Sequence, residues 1–501
     1  MVSKELQKAR EFENRYMPFI PEETRPAFHL TGGIGWINDP NGFSFYKGEY
    51  HLFYQSNPYT TKWNTMHWGH AKTRDFIRWK RLPTALAPDM PYDKDGCFSG
   101  SAVELPDGRH LLLYTGVHGV RREDGYLESF QTQCVAVGDG VDYEKYEGNP
   151  VIDSKDIPDG GSKVDFRDPK LWREEDGTYR CVVGNRTADG SGAVLLYRSE
   201  DGFHWTYVGV VDASHNEYGR MWECPDFFPL GEKQILMVSP QEMVPMDKQF
   251  HAGDNTMFLV GRWEKEHFTR QQVQAVDYGI DFYAPQTTLA EDGRRIMVAW
   301  MQSWATSHFQ PPEARFFGQM ILPRELSLKK GRLIQTPVRE LEGYRGERVC
   351  YENVLLTKEQ TLPGIKGRIL DMALDIRPTG ERTYAGFRLN VAMDAEHATV
   401  LRYTTEDSVL QIDRSRCGFN YDTVHVRDVP VRWRGGKLSL RLVMDRNSLE
   451  IFVNGGEQAA SFILYTPETV TGISFEAEGG QVLLDVEKFD LKIGGGDHGE
   501  L

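Results

Sequence analysis

A turn glycine followed by a short apolar strand recurs five times between residues 25 and 338, and this repeat restricts the fold more than any other feature. The copies begin at Gly48, Gly108, Gly177, Gly231 and Gly293. They lie about sixty residues apart, which is too long for one hairpin but suits a four-stranded propeller blade with long loops. Residues 25–338 are therefore predicted to form a five-bladed β-propeller. The alternative is a large irregular β-sandwich whose glycines lie in ordinary hairpins.

The chain on either side of the repeat has a different character. Residues 1–24 are charged throughout, predict a short amphipathic helix ending near Pro18, and lack the apolar stretch of a secretory signal. Residues 339–501 alternate cleanly between apolar and polar, with a hairpin predicted over 438–445 and 449–457. The predicted class is all-β: a short helix, the propeller and a C-terminal β-sandwich. Because this sandwich has no cluster of acids or aromatic residues, we expect it to support the propeller or form a homodimer contact. Carbohydrate binding is its lesser alternative.

The net charge and the spacing of the cysteines limit the classes of binding partner and the cellular compartment that the sequence predicts. The net charge of -15 argues against nucleic acid or an anionic membrane, and no run of eighteen apolar residues could span a bilayer. The six cysteines are widely separated and form no CxxC pair. With no export signal, reduced thiols in the cytoplasm are expected. A neutral small molecule such as a sugar is the expected ligand.

Five residues hold equivalent positions in the repeat, and most of them are polar. They lie about nine residues before each turn glycine, near the start of the strand that would be innermost in its blade. They are Asp39, Ser99, Asp168, Glu223 and Tyr283. If the blades are equivalent, these side chains converge at one end of the central channel. This convergence predicts an active site.

The residues around these positions suit a sugar. Aromatic side chains stack on sugar rings while amides and acids bind hydroxyls, and both types crowd the same segments. The aromatic residues are Trp36, Trp63, Phe98, Trp222, Tyr283 and Trp300, and the amides include Asn38, Asn41, Gln55 and Asn57.

Two carboxylates suffice to cleave a glycosidic bond: one nucleophile or base, and one proton donor with a raised pKa. Glu223 is the expected donor, since flanking Trp222 and Cys224 would desolvate it and raise its pKa. The third acid would bind hydroxyls. Asp39 and Asp168 each precede a proline, which is expected to fix the turn that leaves the strand.

Other uses of these residues are open. Three acids could hold Ca²⁺ or Mg²⁺, but no acidic ligand loop and no HxH or HExxH motif is present, so no metal is expected. No other cofactor is expected, because the glycine-rich segments lack a phosphate-binding Lys-Ser/Thr. A propeller lectin would explain the aromatic residues and amides but not an intact nucleophile and donor. A transferase would use the same acids with a second sugar, and not water, as acceptor.

The motifs resemble those of glycoside hydrolase family 32, the invertases, sucrose-6-phosphate hydrolases and fructanases. They are WINDPNG at 36–42, FSGS at 98–101, RDP at 167–169 and EC at 223–224, with QSNP, Trp63, YAPQ and Trp300 as further matches. The stretch 438–458 resembles the family's appended β-sandwich, so the resemblance covers nearly all of the chain after residue 20.

The resemblance implies roles for individual residues. Asp39 would be the nucleophile, Glu223 the acid/base, and Asp168 with Arg167 would bind fructose hydroxyls and stabilise the transition state. The pocket would be lined by Trp36, Asn38, Gln55, Trp63, Phe98, Ser99, Cys224, Tyr283 and Trp300. A retaining mechanism predicts that the carboxyls of Asp39 and Glu223 lie about 5–5.5 Å apart. The resemblance implies a β-fructofuranoside as substrate: sucrose, its 6-phosphate or a short fructo-oligosaccharide. A fructosyltransferase with the same acids is the alternative.

Overall fold

The computed structural model describes residues 2–125, 127–307, 310, 313–380, 384–418 and 424–493. The chain begins with one α-helix, α1 (Lys4–Tyr16), whose N-terminus is capped by Ser3: its hydroxyl accepts a hydrogen bond from the backbone N–H of Leu6. Short 3₁₀ turns follow at Met17–Phe19 and Glu22–Thr24, and others lie at Ser154–Asp156 and Arg339–Tyr344. No helix within the described ranges is long and apolar enough to cross a membrane.

Five antiparallel sheets of four main strands each form the propeller, as the repeat predicts. The strands of blades one and two are β1 (Gly35–Tyr46), β2 (Glu49–Asn57), β3 (His67–Thr73), β4 (Lys80–Leu86), β5 (Gly96–Glu104), β6 (His110–Arg121), β7 (Leu127–Gly138) and β8 (Tyr143–Lys145). Those of blades three and four are β9 (Phe166–Arg173), β10 (Tyr179–Arg186), β11 (Gly192–Ser199), β12 (Trp205–Ala213), β13 (Met221–Leu230), β14 (Lys233–Gln241), β15 (Met257–Glu264) and β16 (His267–Ala275). Blade five contains β17 (Tyr283–Leu289), β18 (Arg295–Trp300), β20 (Arg324–Lys329) and β21 (Arg332–Pro337), and the short β19 (Phe316–Phe317) precedes β20.

The five repeat glycines lie where the sequence places them, in the turn between the first and second strands of each blade. All five have φ between 59° and 89°, a conformation that costs glycine little and other residues more. The repeated glycine therefore reflects a backbone conformation with positive φ that recurs at the same turn in each blade.

The fifth blade is tied to the first by the segment between β18 and β20. Its strand β19 pairs in parallel with the start of β1, matching Gly35 with Phe316 and Trp36 with Phe317. The backbone N–H of Met320 also donates to the carbonyl of Leu30 at 2.8 Å. These contacts join the two ends of the propeller.

The C-terminal unit is a sandwich of a six-stranded and a five-stranded antiparallel sheet. Its strands are β22 (Arg345–Leu356), β23 (Leu370–Pro378), β24 (Gly386–Met393), β25 (Ala398–Thr404), β26 (Val409–Arg416), β27 (Val426–Pro430), β28 (Leu438–Asp445), β29 (Ser448–Val453), β30 (Gln458–Ile463), β31 (Gly472–Glu478) and β32 (Val482–Leu491). The predicted hairpin corresponds to β28 and β29, joined by a turn at residues 446–447, and the NG turn at 454–455 instead links β29 to β30. The inward residues of both sheets form one apolar core.

Buried charges join the propeller to the sandwich. His29 contacts Asp445 through Nδ1 at 2.8 Å and Glu450 through Nε2 at 3.0 Å. Arg324 of β20 donates to Glu450 at 2.6 Å and to Asp277 at 2.9 Å. Because each charge is paired, the two domains can bury these groups together without leaving one uncompensated.

Candidate active site

Each of the five repeat positions lies at or beside a break in strand pairing. The register of the first strand in every blade shifts at this point: near Asp39 in β1, Ser99 in β5, Asp168 in β9, Glu223 in β13 and Tyr283 in β17. Such β-bulges turn side chains away from the regular alternation and are common beside active sites. The structure thereby brings all five side chains to one end of the channel.

The prolines near these positions lie inside the strands and not in turns that leave them. Pro169, for example, is unpaired between Asp168 and Lys170. Asp168 itself has φ of 66° and Cys224 has φ of 47°. A residue without an N–H loses nothing where the ladder is already interrupted, which explains why proline is tolerated here.

Asp39 is held by two neutral donors on the floor of the pocket. The amide of Asn38 donates to Oδ1 at 3.0 Å, and the hydroxyl of Ser99 donates to Oδ2 at 2.9 Å. Burial, and then the charge of Glu223, raise the pKa of Asp39 to about 6, while these two hydrogen bonds oppose the rise. The indole of Trp36 donates to the Asn38 carbonyl at 2.7 Å and so fixes the orientation of that amide.

Glu223 lies across the pocket with a different set of partners. Arg167 donates from Nε to Oε1 at 2.9 Å, and the hydroxyl of Tyr283 donates to Oε2 at 2.6 Å. Asp165 in turn accepts from Arg167 Nη1 at 3.1 Å. Trp222 does not cover Glu223 as expected: its ring is buried in the core between blades three and four, and its N–H donates to the carbonyl of Tyr218. Successive residues of a strand face opposite sides, so Trp222 and Glu223 diverge.

Asp168 and Cys224 connect the two sides. The backbone N–H of Cys224 donates to Asp168 Oδ2 at 2.9 Å, and its thiol sulfur lies 3.6 Å from the same oxygen and 3.7 Å from Asp39 Oδ2. Burial and the negative charges of Glu223 and Asp39 raise the pKa of Asp168, and Arg167 opposes this rise. A buried site with three carboxylates and one nearby guanidinium therefore favours the uptake of a proton.

Aromatic rings form one wall of the pocket. Trp36 packs on Trp300 with ring centroids 5.7 Å apart, and Phe317 stacks on Trp36 at 5.2 Å. Phe98 belongs to the same cluster, and Trp63 meets its ring edge-on at 5.9 Å. Trp63 is exposed at the rim, which leaves its indole face available to a ligand.

Gln55 lies deeper than the resemblance implies. Its side chain is buried, and the amide donates to the carbonyl of Cys97 at 3.0 Å, beside Phe98. In this arrangement Gln55 holds the strand that carries Phe98 and Ser99. That bond uses one of the two N–H groups of the amide.

A second layer of polar residues, which the sequence prediction missed, closes the channel below the pocket. Lys170 pairs with Asp226 at 3.1 Å and donates to the carbonyl of Thr287, joining blades three, four and five. Gln286 accepts from the backbone N–H of Phe43 at 2.8 Å and donates to the carbonyl of Gly100 at 2.9 Å. These residues follow the pocket residues by two or three positions, so the period of a strand with a bulge is the signal that could have found them.

Asp254 is a further acid that sequence reasoning missed. It lies on the segment between β14 and β15, where Asn255 N–H donates to the carbonyl of Pro240 and Thr256 contacts Ser239. Ser239 pairs with Glu223 across the sheet. Burial, and then the charge of Glu223, raise the pKa of Asp254 to about 6, so its carboxyl lies on the Glu223 side of the pocket.

The donors around the acids suit an organic ligand better than a metal. Within the described residues, no three histidine, cysteine or acidic side chains are grouped so as to hold a metal ion. Arg167, Tyr283, Ser99 and Asn38 already donate to the carboxylate oxygens that a cation would need.

Comparison with known proteins agrees with this geometry over the whole chain. Residues 29–337 match the family model "Glycosyl hydrolases family 32 N-terminal domain", and residues 340–492 match "Glycosyl hydrolases family 32 C terminal". A sucrose-6-phosphate hydrolase of Zymomonas mobilis is 36% identical over 94% of this chain and 93% of its own length. A raffinose invertase of Escherichia coli is 37% identical, covering 92% and 93%.

Solved structures show the same architecture. The GH32 β-fructofuranosidase of Bombyx mori, whose structure was also determined in complex with sucrose, superposes with a TM-score of 0.83 at 32% identity, covering 97% of this chain and 98% of that one. A sucrose-6-phosphate hydrolase of Lactobacillus gasseri gives a TM-score of 0.81 at 25% identity, with 98% and 96% covered. With both domains matched and the acids of the motifs gathered in one pocket, the chain belongs to glycoside hydrolase family 32.

Proposed function

We propose that this glycoside hydrolase is a retaining β-fructofuranosidase in which Asp39 is the nucleophile and Glu223 the acid/base. The observation that carries the assignment is the difference between the two carboxyls. Asp39 is bound by the neutral donors Asn38 and Ser99, which orient an anion toward the pocket. Glu223 is bound by Arg167 and by the hydroxyl of Tyr283, a group that can accept or donate as its partner changes charge.

The reaction follows from these positions in two steps. Asp39 attacks the anomeric carbon of the fructosyl unit while Glu223 gives its proton to the departing glycosidic oxygen, leaving a fructosyl ester on Asp39. Glu223 then removes a proton from water, which attacks the same carbon and releases fructose with its configuration retained. Asp168, fixed by the backbone N–H of Cys224, accepts hydrogen bonds from fructose hydroxyls as positive charge develops on the ring.

The substrate we propose is sucrose in preference to its 6-phosphate. Asp254 lies on the side of Glu223, where the leaving group must be. Glu242, which pairs with Arg220 at 3.8 Å, adds a carboxylate near Asp254. Acceptors suit the hydroxyls of an uncharged glucose, while a phosphate dianion near them would be repelled. Because several relatives are named sucrose-6-phosphate hydrolases, the comparison of sucrose with its 6-phosphate tests this proposal directly.

Two variants and one trapping measurement test the mechanism. Glu223→Gln is expected to lower kcat on sucrose by ~10²–10⁴-fold, the usual contribution of a general acid. Asp39→Ala is expected to abolish hydrolysis. In rapidly quenched Glu223→Gln enzyme, intact-protein mass spectrometry should detect the covalent adduct as one added fructosyl unit. Asp39→Ala should abolish this adduct as well. Sucrose hydrolysis that survives Asp39→Ala would refute the assignment. If NMR showed that the fructose first released has the inverted anomeric configuration, the retaining mechanism would be refuted.

The specificity is tested by kcat/KM on sucrose, sucrose 6-phosphate, kestose and inulin. We expect sucrose to exceed its 6-phosphate, and Asp254→Asn to narrow that ratio because one repelling charge is removed. Asp247→Asn, an exposed acid in the same loop, serves as the matched control. A ratio that is unchanged by Asp254→Asn would contradict the role given to this carboxyl.

The remaining assignments are also proposals. We place the catalytic domain at residues 25–338 and the sandwich at 339–501, with the boundary supported by the 3₁₀ turn Arg339–Tyr344 that separates their sheets. A cytoplasmic location is supported by the six cysteines, all of them described and all unpaired as thiols. A homodimer through the sandwich stays a prediction, which size-exclusion chromatography with light scattering would test.

A further inference from the structure

A second cleft lies away from the catalytic pocket, between the fifth blade and the sandwich. Its volume is about 660 Å³. One wall is the hairpin of β20 and β21, and the other is the segment that follows β27 at Pro430. A smaller extension of about 170 Å³ continues inward past Tyr278 and Gln458. Both volumes together lie in the range of small-molecule sites. We refer to this space as the interdomain cleft.

The cleft concentrates positive charge in an acidic protein. Five cations line it: Lys329, Lys330, Arg332, Arg432 and Arg434. The only carboxylate among the lining residues is Glu457, which accepts from Arg434 at 2.7 Å. The chain as a whole carries a net charge of -15, so this grouping runs against its composition. Cations gathered around a concave surface raise the local concentration of anions and are stabilised by binding one.

The inner part of the cleft contains hydrogen-bond acceptors that lack donors. Among the described residues, neither Glu457 Oε2 nor Gln458 Oε1 has a hydrogen-bond partner, although both oxygens are buried. Buried acceptors are normally satisfied, so each of these oxygens calls for a donor. Inorganic phosphate is compact and carries few P–O–H donors, whereas a hexose carries several hydroxyls around its ring. The phenol ring of Tyr278, beside Arg332, adds an aromatic surface of the kind on which sugars pack.

We propose that the interdomain cleft is a non-catalytic binding site for a hexose phosphate. The phosphate contacts the cations at the mouth, chiefly Arg332 and Arg432 from the two walls. The sugar hydroxyls donate to Glu457 and Gln458 further in. A neutral sugar would leave the cations uncompensated, and a compact anion held at the mouth would not reach the acceptors further in. One ligand with both parts satisfies both. Because the two walls belong to different domains, the bound ligand also bridges them.

The site is independent of the pocket that holds Asp39 and Glu223. None of the residues that line the cleft contacts those two carboxyls through a hydrogen bond described above. The inference goes beyond fructoside hydrolysis, so substitutions in the cleft should leave turnover of sucrose unchanged. Activity therefore serves as the measure that each cleft variant is folded.

Isothermal titration of the full-length protein with glucose 6-phosphate tests the proposal, with glucose and inorganic phosphate as comparison ligands. We expect glucose 6-phosphate to bind more tightly than either. Arg332→Gln/Arg432→Gln should weaken that binding by about tenfold or more, since two charge-assisted contacts are removed. Gln458→Leu, of similar size, should weaken glucose 6-phosphate but leave inorganic phosphate unchanged.

A charge-matched control separates the site from the general field of the protein. Arg109→Gln/Arg198→Gln removes the same charge from exposed positions on blades two and three and should leave binding unchanged. The proposal is overturned if glucose 6-phosphate does not bind at millimolar concentration, or if Arg332→Gln/Arg432→Gln binds it as the parent does, which would place the ligand elsewhere. Inorganic phosphate binding as tightly as glucose 6-phosphate would overturn the sugar part, because the orphan acceptors would then contribute nothing.

Discussion

Asp39 binds its proton more tightly than an ordinary aspartate, with a pKa of about 6, yet the role we propose for it, attack on a sugar, requires its anion. Burial and the nearby charge of Glu223 favour the protonated form, while Asn38 and Ser99 favour the anion. Since hydrogen bonds to a carboxylate stabilise its charged form, these two donors set the lower pH limit of the reaction. The rate should therefore fall as pH decreases through about 6.

Ser99→Ala tests this at the residue scale. Loss of the hydrogen bond from Ser99 to Asp39 raises the pKa of the nucleophile, so the acidic limb of kcat/KM against pH should move upward by about one unit. The measurement is a pH–rate profile on sucrose. Ser101→Ala is the matched control, because its hydroxyl donates to the carbonyl of Pro169 and not to a carboxylate. Identical profiles for Ser99→Ala and the parent would contradict the role of this hydroxyl.

The pocket acids could be located from sequence because each stands eight or nine residues before a turn glycine. The residues that surround Glu223 could not be predicted from the sequence. Trp222 is its neighbour in sequence but faces the core, and Arg167 and Tyr283 come from other blades. Adjacent residues in a strand point to opposite faces, so nearness in sequence is a poor guide to which groups desolvate a side chain.

At the scale of elements, the first strand of each blade performs two tasks with one bulge. The residue at the bulge reaches the pocket, and the next inward residue closes the channel. The sequence repeat predicts the strands and their turns, but not the bulges, because the register shift exists only in relation to the neighbouring strand. This is why Lys170, Asp226 and Gln286 were missed, although they lie within the same motifs as the pocket acids.

The Lys170–Asp226 pair should contribute to stability and not to chemistry. Lys170→Met leaves the buried carboxylate of Asp226 without its cation, which is expected to lower the free energy of unfolding by about 3–5 kcal/mol. Lys170→Met/Asp226→Asn removes the charge but keeps an acceptor for the Thr287 N–H, and should recover much of that loss. Urea unfolding followed by tryptophan fluorescence measures both. A double variant no more stable than Lys170→Met would show that the ion pair is not the source of the effect.

At the scale of the whole molecule, the two domains share a buried apolar cluster that includes Val443 and Phe452 of the sandwich. They are also joined by buried charges that are more than a hundred residues apart in sequence. The alternating pattern after residue 339 predicts the sandwich, and the five repeats predict the propeller. Nothing in either pattern relates His29 to Asp445 and Glu450, because such contacts depend on how finished domains pack. The same holds for the interdomain cleft, whose cations come from the hairpin of β20 and β21 and from the segment that follows β27.

The buried His29 gives this junction a dependence on pH whose sign can be worked out. Burial alone would lower the pKa of His29, but its hydrogen bonds and ion pairs with Asp445 and Glu450 raise it to about 9. A group whose pKa is raised by folding contributes its full stability below its unfolded pKa, about 6.5, and loses that contribution as pH rises through 9. The contribution is on the order of 3 kcal/mol. We therefore expect the free energy of unfolding to fall between pH 6.5 and 9 in the parent protein.

His29→Gln, which keeps hydrogen-bonding capacity but not the charge, should be less stable at pH 6.5 and lose less of its free energy of unfolding between pH 6.5 and 9. The comparison variant His204→Gln removes an exposed histidine from blade three and should follow the parent. Parallel curves for His29→Gln and the parent would mean that the imidazole is neutral in the folded protein.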